Sequence, residues 1–396
     1  MVGCPSSGTS GFGSDVGGIA TQWNSGAVKD HWKAGRFAWR RIAKICIAVL
    51  VVVGIIVATK KAVRQWQQMD AQAEEQIESL TRQAIRAERR GEDLEARHLR
   101  RAAEKVDRSR PGWRNLRYPF LLAALAAYAA SLLPPGRVLE RTCQALGHPC
   151  QASTAMAAQL IGHTGKYVPG KAMVVVIRAG VLRRESIPIA SAATAIVVET
   201  CFMMAVGGAT GTLFVLWMPI PSWIRAGAAM LAALAWVPTV PPVLVRVVRK
   251  LNRGSNDRGL DSLRWRWWTR SVWDSLLAWL GIAASFYCIT LAVPAFTPLP
   301  PWWTTLPVAS AAIMLAMVLG FASLLPGGAG VRELTLITIL SQVTDEVHAL
   351  VCAVLARLIF IAGESLMAAA AWGWLQRSGT DEPRLPREFS GSTSDR

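Results

Sequence analysis

Hydrophobic residues occur in long runs that alternate with short polar or charged stretches over most of the chain. Several of these runs approach the roughly 20 residues that a helix needs to cross a bilayer. The pattern predicts apolar helices over residues 45–59, 118–133, 187–216, 226–245, 272–293, 307–319 and 349–374. Helices are the expected spanning element because they satisfy their own backbone hydrogen bonds. We therefore predict an all-α, polytopic helical membrane bundle with about seven or eight spans.

Two apolar segments are interrupted by proline and glycine. Residues 165–171 read GKYVPGK, and residues 325–333 read LPGGAGVRE. Proline removes a backbone donor, and glycine permits backbone angles that other residues avoid. Non-helical backbone at membrane depth is tolerated where it is buried in protein or lines a wet cavity. We therefore predict two re-entrant or broken helices at the Pro-Gly motifs. Such pairs occur in the related halves of transporters, but two short motifs can also coincide by chance.

The formal net charge is +17, from 43 lysines and arginines against 26 acidic residues. The basic residues cluster beside the apolar runs, so the positive-inside rule accounts for most of them. Anionic lipid headgroups are the partners that such clusters attract. The sequence shows no nucleic-acid recognition module, nucleotide-binding fingerprint, nucleophile elbow or metal-ligand spacing, and its seven cysteines are scattered. We therefore predict no nucleic-acid partner, no cofactor and no metal.

Composition divides the chain into five parts. We predict a disordered cytoplasmic tail (1–41), a first transmembrane helix (42–59), a charged helical extramembrane segment (60–117), a transmembrane domain (118–376) and a disordered polar tail (377–396). Basic residues before the first span predict a cytoplasmic N-terminus. We also expect the protein to reside in the cell (inner) membrane.

The charged segment has acids and bases at helical spacing, as in the pairs Glu78–Arg82 and Glu104–Arg108. An apolar heptad seam runs through its first half. This pattern predicts a solvated helical hairpin or a single long helix, with a partner-binding coiled coil as the alternative.

Charged residues also lie inside otherwise apolar segments, where isolated charge is costly. They are Arg178, Glu199, Arg332, Glu333, Arg357 and Glu364. One interpretation is a structural ion-pair network that fixes the helices. The other is a basic pocket for an anionic headgroup, in which the glutamates position the arginines or contact a cationic group. A phosphate would suit the glycines after Pro326, because half-helix N-termini offer unpaired N–H groups and Arg332 adds a bidentate donor.

These motifs resemble the transmembrane flippase domain of lysylphosphatidylglycerol synthases. That family includes many stand-alone membrane proteins and the membrane part of some archaeal dolichol-phosphate glycosyltransferases. The resemblance covers roughly Tyr118 to Trp374 and rests on Gly165–Lys171, Glu199, Leu325–Glu333 and Arg357. With the charge argument, it gives a predicted substrate-binding set of Lys166, Tyr167, Pro169, Gly170, Lys171, Arg178, Glu199, Pro326, Gly327, Gly328, Gly330, Arg332, Glu333 and Arg357.

The chain departs from the family in two places. Family members often carry Gly-Glu after the first Pro-Gly, where this chain has Ala172-Met173-Val174, and they usually have a short connection where it has the segment 60–110. We expect no soluble catalytic domain after Trp374, because the polar stretch 377–396 is too short to fold into one. The resemblance therefore implies translocation of an anionic phospholipid or a polyprenyl-linked substrate, and we predict that the protein is not an enzyme.

Two other functions stay open. The first is a membrane scaffold that recruits a protein partner through the charged helix 65–110. The second is a membrane-embedded transferase for a lipid-linked donor, for which Glu333 or Glu199 would be the acid or base.

Overall fold

Helices account for all the regular secondary structure in the described part of the computed structural model, which comprises residues 60, 64, 67–110, 115–167, 172–218, 220–251, 263–323, 328 and 330–378. The predicted all-α class is confirmed for these residues. The helices are α1 (67–89), α2 (Asp93–Ser109), α3 (Tyr118–Ser131), α4 (Pro134–Ala145), α5 (Ala152–Gly162), α6 (Ala172–Leu182), α7 (Ile189–Val215), α8 (Ser222–Trp236), α9 (Pro241–Leu251), α10 (Trp265–Ala292), α11 (Trp302–Ala322), α12 (Val331–Leu340) and α13 (Glu346–Ser378).

Five helical stretches in the described part of the chain are long and apolar enough to cross a membrane. They are Tyr118–Ala145, Ile189–Val215, Trp265–Ala292, Trp302–Ala322 and Glu346–Arg377. The first of them joins α3 and α4 across a short turn. The polytopic membrane architecture is thus supported, but the predicted count of seven or eight spans is not confirmed. The helix predicted over 42–59 lies outside the described residues.

The run at 226–245, for which the sequence predicts one apolar helix, is divided into two helices. α8 ends at Trp236, a 3₁₀ turn covers Val237–Thr239, and α9 begins at Pro241. α8 has 15 residues, which gives about 22 Å of helix against a hydrocarbon thickness of about 30 Å. Pro238 lies in the 3₁₀ turn, and Pro241 and Pro242 begin α9. The run is divided and not merely bent, because proline lacks a backbone donor and clashes with a preceding helical turn.

The central helices pack closely through small residues. The indole of Trp279 on α10 covers Gly207 on α7 so tightly that an added Cβ would collide with it. The indole Nε1 also donates to the Met203 carbonyl at 2.9 Å. A Cβ on Gly211 would lie 2.9 Å from the Cβ of Met314 on α11. Helices in lipid associate largely through such close van der Waals packing.

Tryptophans on the outer surface lie near the helix ends. Trp217, Trp223, Trp302, Trp303, Trp372 and Trp374 are all exposed. Large aliphatic side chains such as Leu122, Leu277 and Leu366 are exposed between them. An apolar outer band with tryptophans at its edges is typical of a surface in contact with lipid.

The charged segment forms a helical hairpin and not a single long helix. Gly91, with φ +76°, lies at the turn between α1 and α2. Arg100 pairs with Glu88 across the hairpin at 2.7 Å, and Arg110 pairs with Asp70 at 2.7 Å. Small side chains are buried along both helices, namely Ala73, Ala84, Ala87, Ala96 and Ala103.

Candidate functional site

Two short helices and a 3₁₀ turn occupy the first interruption. α5 and α6 each contain 11 residues, which gives about 16 Å of helix, or roughly half the hydrocarbon thickness. The turn His163–Tyr167 directly follows α5. The first interruption thus contains two short helices, and the prediction that they form a re-entrant element stays a prediction. Pro169, Gly170 and Lys171 lie outside the described residues.

The chain reverses direction between α5 and α6, and two glycines let the half-helices approach closely. A Cβ on Gly162 would collide with the Arg178 side chain, and a Cβ on Gly165 would lie 2.8 Å from the backbone nitrogen of Val174. From the first contact to the second, the residue number rises on the α5 side and falls on the α6 side, so the two segments are antiparallel. α5 and α6 therefore form a close antiparallel pair of short helices.

The second interruption separates α11 from α12, a helix of only ten residues. Gly328 and Gly330 have φ values of +65° and +89°, which residues with a side chain rarely adopt. An added Cβ at Gly328 would lie 2.9 Å from the Cα of Gly320 on α11. The glycines thus let the chain fold back against the helix that it has just left. Pro326 and Gly327 lie outside the described residues.

Arg178 and Glu199 form a buried ion pair that joins α6 to α7. The Arg178 Nη2 donates to Glu199 Oε2 at 2.7 Å, and the two side chains are only 4% and 2% exposed. The Thr200 hydroxyl donates to the same carboxylate oxygen at 3.2 Å. In this conformation the pairing favours the structural interpretation of these two charges over direct contact with a substrate.

Glu333 holds the start of α12 in place. Its Oε2 accepts a hydrogen bond from the backbone N–H of Gly330 at 2.6 Å, which caps the helix. Its Oε1 pairs with the guanidinium of Arg357 on α13. Because both carboxylate oxygens are engaged, Glu333 and Arg357 also form a structural pair, which ties the second broken helix to the last span.

Arg332 lies beside these pairs but has a different environment. Its guanidinium carbon is 5.1 Å from the centre of the Phe360 ring, a cation–π distance. The Phe360 ring stacks on Tyr128 with 3.8 Å between centroids. Among the residues that the structure describes, the buried Nη2 of Arg332 has no hydrogen-bond partner. Buried donors of this kind are rarely left unused in folded proteins.

Glu364 of α13 is the centre of a polar cluster. Its Oε1 accepts hydrogen bonds from the Tyr128 hydroxyl at 2.7 Å and from Lys166 Nζ at 3.0 Å. His163 Nδ1 lies 3.8 Å from the same oxygen. The Glu364 side chain is 6% exposed, whereas that of Lys166 is 37% exposed. Lys166 therefore links the first motif to α3 and α13.

The two interrupted segments thus converge on one aromatic residue. The Tyr128 hydroxyl donates to Glu364, which also accepts a hydrogen bond from Lys166. The Tyr128 ring stacks on Phe360, and the guanidinium of Arg332 lies over the Phe360 ring. The first motif contributes a lysine to this place, and the second contributes an arginine. Such an arrangement brings one cation from each motif to the Tyr128–Phe360 ring pair.

Sequence reasoning missed three members of this cluster. Tyr128, His163 and Phe360 were not in the predicted set, because an aromatic residue within an apolar run or a histidine near a turn is usually structural. Glu364 was recognised as a buried charge but was not assigned to the site. Its signal was the single carboxylate in the apolar stretch 349–374.

The comparisons with known proteins agree with this architecture. Residues 102–363 match the family model described as the lysylphosphatidylglycerol synthase TM region, a range that includes both interrupted segments and Arg357. A search of the curated proteins found no match. The matched region covers most of the chain, and the chain therefore belongs to the lysylphosphatidylglycerol synthase transmembrane family.

Proposed function

We propose that this protein translocates an anionic phospholipid or a lipid-linked anion across the cell membrane, with the phosphate bound between Arg332 and Lys166. The observation that carries the proposal is the buried Nη2 of Arg332, which has no partner among the described residues. A phosphate oxygen would satisfy this donor with a charge-assisted hydrogen bond. Family membership supports a role in the membrane.

Lys166 is the second phosphate ligand in this proposal. Lys166 is more exposed than Glu364, its partner in the ion pair. Its side chain can therefore turn towards an entering anion with a smaller loss of packing than the Glu364 side chain would suffer. A phosphate would then compete with Glu364 for the ammonium group. Glu364 would keep its hydrogen bond from the Tyr128 hydroxyl.

The other charged residues hold the helices around the site in position. Arg178 and Glu199 fix α6 against α7, and Glu333 with Arg357 fixes α12 against α13. Both half-helix elements are thereby held by an ion pair to a long neighbouring helix. We propose that this leaves Lys166 and Arg332 as the groups that respond to substrate.

A flipping assay in liposomes tests the proposal. Purified protein is reconstituted with fluorescent phosphatidylglycerol, and the fraction of the probe that becomes accessible to an external quencher is followed with time. We expect faster flipping than in protein-free liposomes, selectivity over fluorescent phosphatidylcholine, and a loss of about tenfold or more in Arg332→Ala. Equal rates for Arg332→Ala and the unmodified protein would refute the site.

The helical hairpin supports a second candidate function, recruitment of a protein partner. Its buried seam consists of alanines, and its charged side chains are directed outwards. If recruitment is the main role, deletion of the hairpin abolishes function while the bundle stays folded. We propose no catalytic role, because Glu199 and Glu333 are both held in ion pairs.

A further inference from the structure

Two free cysteines lie together at the connection between α4 and α5. Cys143 is in the last turn of α4, and Cys150 precedes α5 by two residues. Both side chains are buried, and their thiols are in hydrogen-bonding contact with each other. We propose that the pair is a reversible modification site, at which a disulfide-bearing molecule converts the two thiols into an intramolecular disulfide. The proposal is independent of the proposed translocation.

The turn after α4 brings the two residues together. Gly147 has a φ of +85°, which residues with a side chain rarely adopt, and the backbone N–H of His148 donates to the Cys143 carbonyl at 3.1 Å. Features of this kind reverse the chain at the end of a helix. The Gln144 side chain then donates to the Cys150 carbonyl at 3.2 Å, so the segment that follows the turn is held against α4.

A reagent reaches the pair through the connection and not through the helix. Gly147 and Pro149 are exposed beside Cys150, whereas Cys143 is only 1% exposed. The contact with Cys143 and burial raise the pKa of the Cys150 thiol. This thiol is therefore protonated at neutral pH and should react slowly, because the thiolate is the nucleophile.

The reaction is a thiol–disulfide exchange. One cysteine thiol loses its proton and attacks a sulfur of the incoming disulfide, which forms a mixed disulfide and releases one thiolate. The second cysteine then loses its proton, attacks the mixed disulfide and releases the other half of the reagent as a second thiolate. Two cysteine thiols are oxidised, one reagent disulfide is reduced, and the two protons pass to the two leaving thiolates. A reducing dithiol reverses these steps.

The new bond fastens the start of α5 to the end of α4. The two helices already pack closely, because a Cβ on Gly136 would lie 2.7 Å from the Cα of Met156. The Thr154 hydroxyl, in the first turn of α5, donates to Glu185 after α6 at 2.6 Å. A disulfide also restrains the unfolded chain, so oxidation should stabilise the folded protein.

Mass spectrometry of the full-length protein tests the proposal. Cys143 and Cys150 fall in one tryptic peptide, residues 142–166, which contains no other cysteine. The folded protein in detergent is incubated with oxidised glutathione, then denatured with excess N-ethylmaleimide and digested. We expect this peptide to carry no maleimide and to have lost two hydrogen atoms. After treatment with dithiothreitol it should carry a maleimide on each cysteine.

Two controls distinguish this pair from cysteines that are merely buried. Cys352 is fully buried on α13, lies in the tryptic peptide 333–357, and should keep its thiol. Oxidation should raise the thermal unfolding temperature by on the order of 5 °C in the unmodified sequence, but not in the double variant Cys143→Ala with Cys150→Ala. If peptide 142–166 keeps both thiols in the folded protein but is oxidised by the same reagent in denaturant, the proposal is overturned.

Discussion

Three arginines within apolar segments have three different environments. Arg178 is enclosed with Glu199, Arg357 pairs with a helix-capping glutamate, and Arg332 lies over the ring of Phe360. The sequence predicts that such charges must pair or face water, because isolated charge in the membrane is costly. It cannot predict which arginine finds a carboxylate, since the partners come from distant helices.

Removing one member of the buried pair should destabilise the protein. Glu199→Gln leaves the charge of Arg178 uncompensated, which costs about 3–5 kcal/mol. Thermal unfolding in detergent should therefore begin at a clearly lower temperature. The double variant Arg178→Met with Glu199→Leu removes both charges and should lose much less. An equal loss in the single and double variants would argue against the structural role of the pair.

Substitutions of Lys166 and Glu364 should change the half-saturating fraction of phosphatidylglycerol in opposite directions. Lys166→Met removes a phosphate ligand and should raise the half-saturating fraction of fluorescent phosphatidylglycerol in the flipping assay by about tenfold. Glu364→Gln removes the competitor for Lys166 and should lower that fraction. If both variants shift the half-saturating fraction in the same direction, competition between phosphate and Glu364 is wrong.

Individual elements were predictable where the cause is local. Proline and glycine act on their own backbone, so the interruption of the apolar runs near 169 and 326 could be read from the sequence. The division of the run at 226–245 into two helices could not be predicted with the same certainty, because prolines can either bend or end a helix. The hairpin turn at Gly91 was also ambiguous, since the same charge pattern suits a single long helix.

The turn before α12 should depend on Gly328. Gly328→Ala places a Cβ at a positive φ and 2.9 Å from the Cα of Gly320, so the chain must move away from α11. We expect a loss of at least about 1–2 kcal/mol in stability, the usual penalty of that backbone conformation. Chemical unfolding in detergent measures the loss.

Gly180→Ala is the matched control for this change. Gly180 lies within α6, and an added Cβ there meets no atom within 4 Å. The substitution should leave stability unchanged or raise it by up to about 1 kcal/mol, because alanine favours the helix. If Gly180→Ala and Gly328→Ala had the same effect, the close approach of Gly328 to α11 would not matter for stability.

At the scale of the molecule, the described residues combine five long apolar helices with two interrupted segments that converge on Tyr128. The apolar runs and the family resemblance were sufficient to predict the membrane bundle. The site was only partly predictable. Lys166 and Arg332 belong to motifs, but the residues that bring them together lie on α3 and α13. Nothing in an apolar run marks Tyr128 or Phe360 as special, because their roles arise from packing between helices distant in sequence.

Deletion of the helical hairpin separates the two candidate functions. Its ends are close together, because Arg110 pairs with Asp70 at 2.7 Å, so a short glycine-serine linker can replace the hairpin without distorting the bundle. If translocation is the main role, the flipping rate of the shortened protein should stay within about twofold of the full-length rate. A loss of flipping with an unchanged unfolding temperature would favour recruitment of a partner.

The most direct test of the central claim compares two arginines in the same flipping assay. Arg332→Gln is measured beside Arg225→Gln, which removes the same charge from an exposed position of α8, at equal amounts of reconstituted protein and with unfolding temperatures recorded for both. We expect Arg332→Gln to slow phosphatidylglycerol flipping by about tenfold or more, whereas Arg225→Gln should have little effect. Full flipping activity in a folded Arg332→Gln variant would contradict this expectation.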